Sequence, residues 1–381
     1  MYVNGHSPIK ELHINNPQMI ECPTSLFWRM PVCLEKIRRA MARISVTIAV
    51  ALIAMPAASA SDGEAWSALQ LLEREIAVGT KARFSFMPDN SFEASYLNMP
   101  VFVTRGHAPG PMLCITAGVH GDELNGVEVA RRAFARSDPL ELRGTLIALP
   151  AINAVGVRNG SRYLSDRRDL NREFPGRAGG SVAALIANEV FSEVLRHCDA
   201  VIDLHTASNN RANLPQIRAD ISDADIRELA THFGLGIVVA GAGPDGSLRR
   251  EVAKAGIPAI IYEAGEPYRF QRYEIDRGVE GVENVMAYLD MIDREEQEVP
   301  ESRIYERSRW VRATRGKGGF FFPTAELGDF VNKGDLLGAV VDPLTDESFD
   351  VISPVAGEVI GMAVAQPVLS GYALFHLGWH E

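Results

Sequence analysis

Cysteine is scarce in this chain, with four in 381 residues, and none has the paired spacing of a cysteine zinc knuckle. Cys22 and Cys33 fall early. Cys114 and Cys198 sit in apolar stretches (MLCITA and VLRHCDAVI), where a buried free thiol is the commoner state. A disulfide between them is compatible with an oxidising compartment but not required by the spacing. Positive charge is also in deficit, with 38 Lys+Arg against 49 Asp+Glu and a formal charge of −11. An acidic surface repels nucleic acid and anionic membrane, so neither is expected as the main partner. The uncharged run 44–55 (ISVTIAVALIAM) has 12 residues, short of the roughly 20 that cross a bilayer as a helix. Glycine (33) and proline (21) are at ordinary globular levels, which excludes collagenous or low-complexity architecture.

Lys36, Arg38, Arg39 and Arg43 precede that apolar run, and small residues ending Ala58-Ser59-Ala60 follow it. Basic n-region, short h-region and A-x-A site in this order predict a secretory signal peptide over the leader 1–60. Initiation at Met30 or Met41 would give the n-region an ordinary length. No lipobox cysteine follows. The expected location is periplasmic or secreted, with membrane contact only through the signal peptide during export.

From about residue 80, short β-rich runs alternate with helical patterns. Strands are predicted at 112–117, 145–150, 200–204, 236–240 and 258–263, and helices at 124–136, 182–196, 223–233, 248–255 and 275–292. The alternation predicts an α/β domain over 61–303, with a mixed, mostly parallel sheet and helices on both faces. The acidic stretch 294–303 reads as a linker. In the remainder, 304–381, V-x-x-G-x-x-L occurs twice: Val331, Gly334, Leu337 and Val368, Gly371, Leu374. That repeat predicts a small all-β barrel or sandwich. The module resembles a biotinyl/lipoyl-type barrel, but no lysine lies between Asp350 and Glu381 to carry such a group.

Ligands of open α/β sheets collect at the carboxyl ends of strands, and the reactive residue types cluster there. GVHGDE places His120 and Glu123 after the first strand, and AVIDLHTAS places His205 at the end of another. Two imidazoles and a carboxylate with one position open form the pattern of a catalytic zinc. Asp203 is a candidate orienter of His205. His107, His197, His232, His376 and His380 lie in a loop, on helices or in the β module and compete poorly as ligands. The segment 150–176 reads as a long loop rich in Arg and Asn, suited to gripping a carboxylate. Glu263, at the end of IIYEAGEP, is a candidate base, with Glu266 as its rival.

Taken in order, GVHGDE, DLNREFPG, IDLHTAS and YEAGE resemble the succinylglutamate desuccinylase/aspartoacylase family of the zinc carboxypeptidase clan, over about residues 80–381. The resemblance implies one Zn²⁺ per chain on His120, Glu123 and His205, with Glu263 as the base that activates water. It also implies Asn171 and Arg172 as the grip on the substrate carboxylate. Arg162 would stabilise the oxyanion, with Arg158, Arg167 and Arg168 as competitors for that role. The expected activity is zinc-dependent hydrolysis of an N-acyl amino acid or related small carboxylated amide. A periplasmic metallocarboxypeptidase and an inactive small-carboxylate binding protein are the alternatives, and the sequence leaves the oligomeric state open.

Overall fold

The computed structural model describes residues 66–87, 98–294, 302–364 and 366–380. The expected signal peptide and most of the 294–303 linker lie outside these residues. A hairpin, β1 (Leu69–Leu71) and β2 (Arg74–Ile76), leads into β3 (Thr80–Phe86), β4 (Met99–Arg105) and β5 (Ala108–Ala117). Then come α1 (Asn125–Arg136), β6 (Arg143–Leu149), α2 (Ala154–Asn159), α3 (Val182–Glu193), β7 (Ala200–His205) and β8 (Arg211–Ala219). The α/β part finishes with α4 (Ala224–His232), β9 (Ile237–Ala240), α5 (Leu248–Lys254), β10 (Ala259–Gly265) and α6 (Arg272–Tyr288).

Four strands in the order β6-β5-β7-β10 run parallel and carry the apolar runs. Side chains alternate along a strand, so a run apolar at every position feeds two cores. Leu113, Ile115 and Ala117 of β5 pack on one face with Val129 of α1, Leu229 of α4 and Val282 of α6. Cys114, between them, faces Ile186 and Val190 of α3 and Val252 of α5. It forms a disulfide with Cys198 beside the start of β7.

The sheet extends beyond the alternating pattern at both flanks. β4 and β3 add antiparallel outside β6, and β8 adds antiparallel outside β10. The segment 150–176 is not featureless as expected. It contains α2, whose Asn153 side chain accepts from the Gly156 N–H, and a single 3₁₀ turn at Leu170–Arg172 capped by Asp169. Asn and Asp favour such caps because their side chains replace missing backbone partners.

The remaining strands are β11 (Arg303–Tyr305), β12 (Arg307–Arg312), β13 (Gly319–Pro323), β14 (Phe330–Val331), β15 (Leu336–Val341) and β16 (Ser348–Ile352). β17 (Gly357–Ala363), β18 (Pro367–Val368) and β19 (Ala373–Trp379) end the chain. Each V-x-x-G-x-x-L copy is a strand, a turn and a strand: β14 to β15 through Gly334 (φ +98°), and β18 to β19 through Gly371 (φ +78°). Both glycines use the left-handed region that side chains disfavour. Leu337, Leu374 and Val368 share one core with Phe321 and Phe375. β16-β15-β13-β18 form a separate sheet, whereas β17 pairs with β8 and carries β19 and β12 onto the main one. C-terminal residues thereby reach the carboxyl end of β10.

Candidate active site

β5, β7 and β10 end along one edge, with Ala117 paired to Leu204 and Glu263 paired to His205. His120 and Glu123 sit in the turn after β5. That turn is possible because Gly121 rests on α2: a Cβ there would fall 1.9 Å from the Gly156 carbonyl carbon. The three expected metal ligands are all buried, and one potential ligand atom from each lies within 4.8 Å of the others. His120 Nδ1 is 2.9 Å from Glu123 Oε1, and His205 Nδ1 is 2.8 Å from Glu123 Oε2.

The outer nitrogen of each imidazole meets a carboxylate. His205 Nε2 is 2.8 Å from Asp203, whose other oxygen accepts from Thr116 at 2.7 Å. His120 Nε2 is 3.0 Å from Asp169. Carboxylates behind histidines fix ring orientation and raise ligand basicity in metal sites. Asp203 occupies its expected place, whereas Asp169 escaped sequence reasoning because it lies 49 residues from His120. Its signal was its place at the head of DLNR: the Asp169 oxygen that caps the turn at Asn171 also meets His120, and the other accepts from Arg162. Arg162 bridges the set, donating to Asp169 at 2.9 Å and Glu123 at 3.2 Å.

Electrostatics favour a cation here. Burial alone would raise the Glu123 pKa, but His120 and His205 outweigh it and hold the carboxyl far below its usual range. Burial likewise disfavours imidazolium at His205, yet Asp203 and Glu123 raise its pKa well above the usual value. A cation offsets the buried carboxylate charge. His120 Nδ1 is buried and makes no well-aligned hydrogen bond, although Glu123 Oε1 lies 2.9 Å away, an arrangement a metal would satisfy. Two imidazole nitrogens and a carboxylate oxygen are a fitting Zn²⁺ donor set.

The cleft has a volume of about 270 Å³, and Arg162, Asn171, Arg172 and Glu263 line it together with the three ligands. Among the four arginines weighed for the oxyanion role, only Arg162 is in the wall. Arg158, Arg167 and Arg168 are exposed. Glu266 is turned aside to Arg269 at 3.3 Å. Asn171 Oδ1 accepts from the Leu248 N–H at 2.8 Å and so also caps α5 from a distance. Glu263 accepts from Asn213 at 2.6 Å and pairs with Arg218 at 2.9 Å.

Several wall residues were not anticipated. Arg211, Asn213 and Arg218 come from β8, Arg249 from α5 and Trp310 from β12. β8 reads RANLPQIRA, too polar and proline-interrupted to announce a strand. Arg249 shares the buried side of α5 with Leu248 and Val252, and that spacing was the available signal.

The fold is shared with known proteins. Residues 109–289 match the model of the succinylglutamate desuccinylase/aspartoacylase catalytic domain. The chain is 25% identical over 278 residues to the N-alpha-acetyl-L-2,4-diaminobutyric acid deacetylase of Halomonas elongata, covering 69% of this chain and 80% of that protein. It superposes on a succinylglutamate desuccinylase/aspartoacylase from Rhodobacter sphaeroides with a TM-score of 0.71 at 24% identity, covering 81% of this chain and 99% of the other. The product-bound ectoine utilization protein EutE (DoeB) of Ruegeria pomeroyi gives a TM-score of 0.71 at 23% identity, covering 80% and 98%. These two likenesses are of fold. Residues 109–289 are thus a succinylglutamate desuccinylase/aspartoacylase catalytic domain, the domain of a family of amide-cleaving deacylases.

Proposed function

We propose that this protein is an exported, zinc-dependent deacylase that hydrolyses the amide bond of a small N-acyl amino acid. The observation that carries the reading is the His120, Glu123, His205 cluster, backed by Asp169 and Asp203, in a cleft lined by Glu263 and several arginines. His120, Glu123 and His205 would hold the ion. When bound, Zn²⁺ supplies Lewis acidity, which polarises a carbonyl and eases ionisation of water. Glu263, steadied by Asn213 and Arg218, takes the proton of the attacking water and returns it to the leaving amine. Arg162 offers its guanidinium to the charge that develops on the carbonyl oxygen. Arg172 and Asn171 orient the substrate through its carboxylate.

The size of the cleft supports a small substrate over a peptide, since about 270 Å³ lies near the lower limit of small-molecule sites. Trp310, from the C-terminal strands, adds to its wall. Export is supported by the leader sequence and by the Cys114–Cys198 disulfide, a bond that persists in oxidising compartments. The similar deacetylase of Halomonas elongata acts, by its name, on an N-acetylated amino acid. The test is Glu263→Gln, which should keep zinc and lose hydrolysis of N-acyl amino acids. Near-normal turnover in that variant contradicts the role given to Glu263.

A further inference from the structure

Beside the metal cleft lies a second compartment of about 300 Å³, which shares Arg218, Gly243, Arg249 and Trp310 with the first. Ser308 and Arg309 from β12 and His376 from β19 complete its polar wall, and no acidic side chain among the described residues lines it. Arg249 is only 5% exposed, and its Nε and Nη1 are buried without partners. Arg218 gives one guanidinium nitrogen to Glu263, while its Nε is also buried and unpartnered. A buried charged donor left without a partner is costly unless something satisfies it.

The wall is shaped around these groups. Gly243 takes φ +84° and approaches so closely that a Cβ there would lie 2.8 Å from Arg249 Nη2. His376 stacks on Trp310 with ring centroids 4.6 Å apart and planes 6° apart, and its Nδ1 is buried without a partner. Burial, then Arg218 and Arg211, push the His376 pKa down to about 3, so the ring is neutral and can donate to an anion at no charge cost. Burial, then Arg218, lower Arg249 to about 10, so it stays cationic near neutrality. A buried guanidinium without a carboxylate partner among the described residues, a half-buried one paired to Glu263, and a neutral imidazole form a wall short of negative charge.

We infer that this compartment is a second binding site, taking a small oxyanion, a carboxylate or phosphate, between Arg249 and Arg218 with His376 at its side. The site rests on its own geometry. Only the question of whether the oxyanion belongs to the substrate depends on the deacylase reading.

The test is calorimetric titration of the metal-free full-length protein with inorganic phosphate. Saturable binding is expected in the wild type, weakened at least about tenfold in Arg249→Gln, as for loss of a charge-assisted pair. It should be largely retained in Arg249→Lys, which separates charge loss from misfolding, and in Arg172→Gln, which alters only the cleft. A phosphate-dependent change in tryptophan fluorescence should vanish in Trp310→Phe while binding persists. No saturable binding, or binding lost in Arg172→Gln and kept in Arg249→Gln, overturns the site. With the zinc-loaded enzyme, N-acetyl and N-succinyl amino acids identify the source of the anion. If it is a second substrate carboxylate, phosphate competes and Arg249→Gln penalises the succinyl substrate selectively. If it is a free anion, phosphate acts without competing, and both substrates respond alike. Absence of hydrolysis altogether contradicts the deacylase reading and leaves the phosphate titration to decide the site.

Discussion

Reduction of the Cys114–Cys198 disulfide should destabilise the protein without dismantling its site. The bond closes a loop of 84 residues between the middle of β5 and the start of β7. In the chain-entropy account, a loop of that length removes about 4–5 kcal/mol of freedom from the unfolded state. Both cysteines are buried in the core beneath α3, so the reduced thiols can remain in place as small apolar groups. For a chain of this size the loss corresponds to a fall in melting temperature on the order of 10 °C. Urea and thermal unfolding of protein with and without a strong reductant, scored with free-thiol counts, measure it directly. The two ligand turns lie several residues beyond Cys114 and Cys198, so zinc affinity should change little. Coincident unfolding curves for the oxidised and fully reduced protein would show that the bond adds no stability, and two free thiols in protein exported to an oxidising compartment would show that it does not form.

Asp203→Asn keeps the shape but removes the charge behind His205, and zinc affinity should fall about 10–100-fold, read by competition with a chromophoric chelator. An unchanged dissociation constant would mean that Asp203 serves only Thr116. Gly121→Ala drives a Cβ into Gly156; a cost of about 1–3 kcal/mol and displaced His120 are expected, with weaker zinc binding and a lower melting temperature. For Glu274, burial raises the pKa from 4.5 to about 7, so between those values the folded state holds a proton that the unfolded state has lost. Stability from this group is therefore present below pH 4.5 and declines as pH rises through 7. Denaturant midpoints across that window should fall less in Glu274→Gln than in the wild type.

Much of this architecture was legible because strands buried on both faces must be apolar at nearly every position. β5, β7 and β10 meet that condition, and His205 is conspicuous as an imidazole ending such a run. β8 was illegible for the converse reason. Its Asn213, Gln216 and Arg218 face the cleft and the neighbouring strands, so the polarity that makes it useful conceals it. Asp169 and Arg249 depend on long-range packing. The first reaches His120 from a capped turn, and the second is turned inward by a seven-residue helix that looks like a charged surface segment. His376 was weighed only as a metal ligand, whereas its place beside Trp310 follows from the pairing of β12 with β19.

If the His120, Glu123, His205 cluster binds zinc and the loaded cleft hydrolyses small N-acyl amino acids, activity must follow the metal. The most direct measurement takes purified protein, stripped with a chelator and then restored with one equivalent of Zn²⁺, and follows amine release from a panel of N-acyl amino acids. Stripped protein should show no turnover, and activity should recover near one zinc per chain for at least one member of the panel. Equal hydrolysis with and without metal, or failure to bind zinc at the cluster, would contradict this dependence.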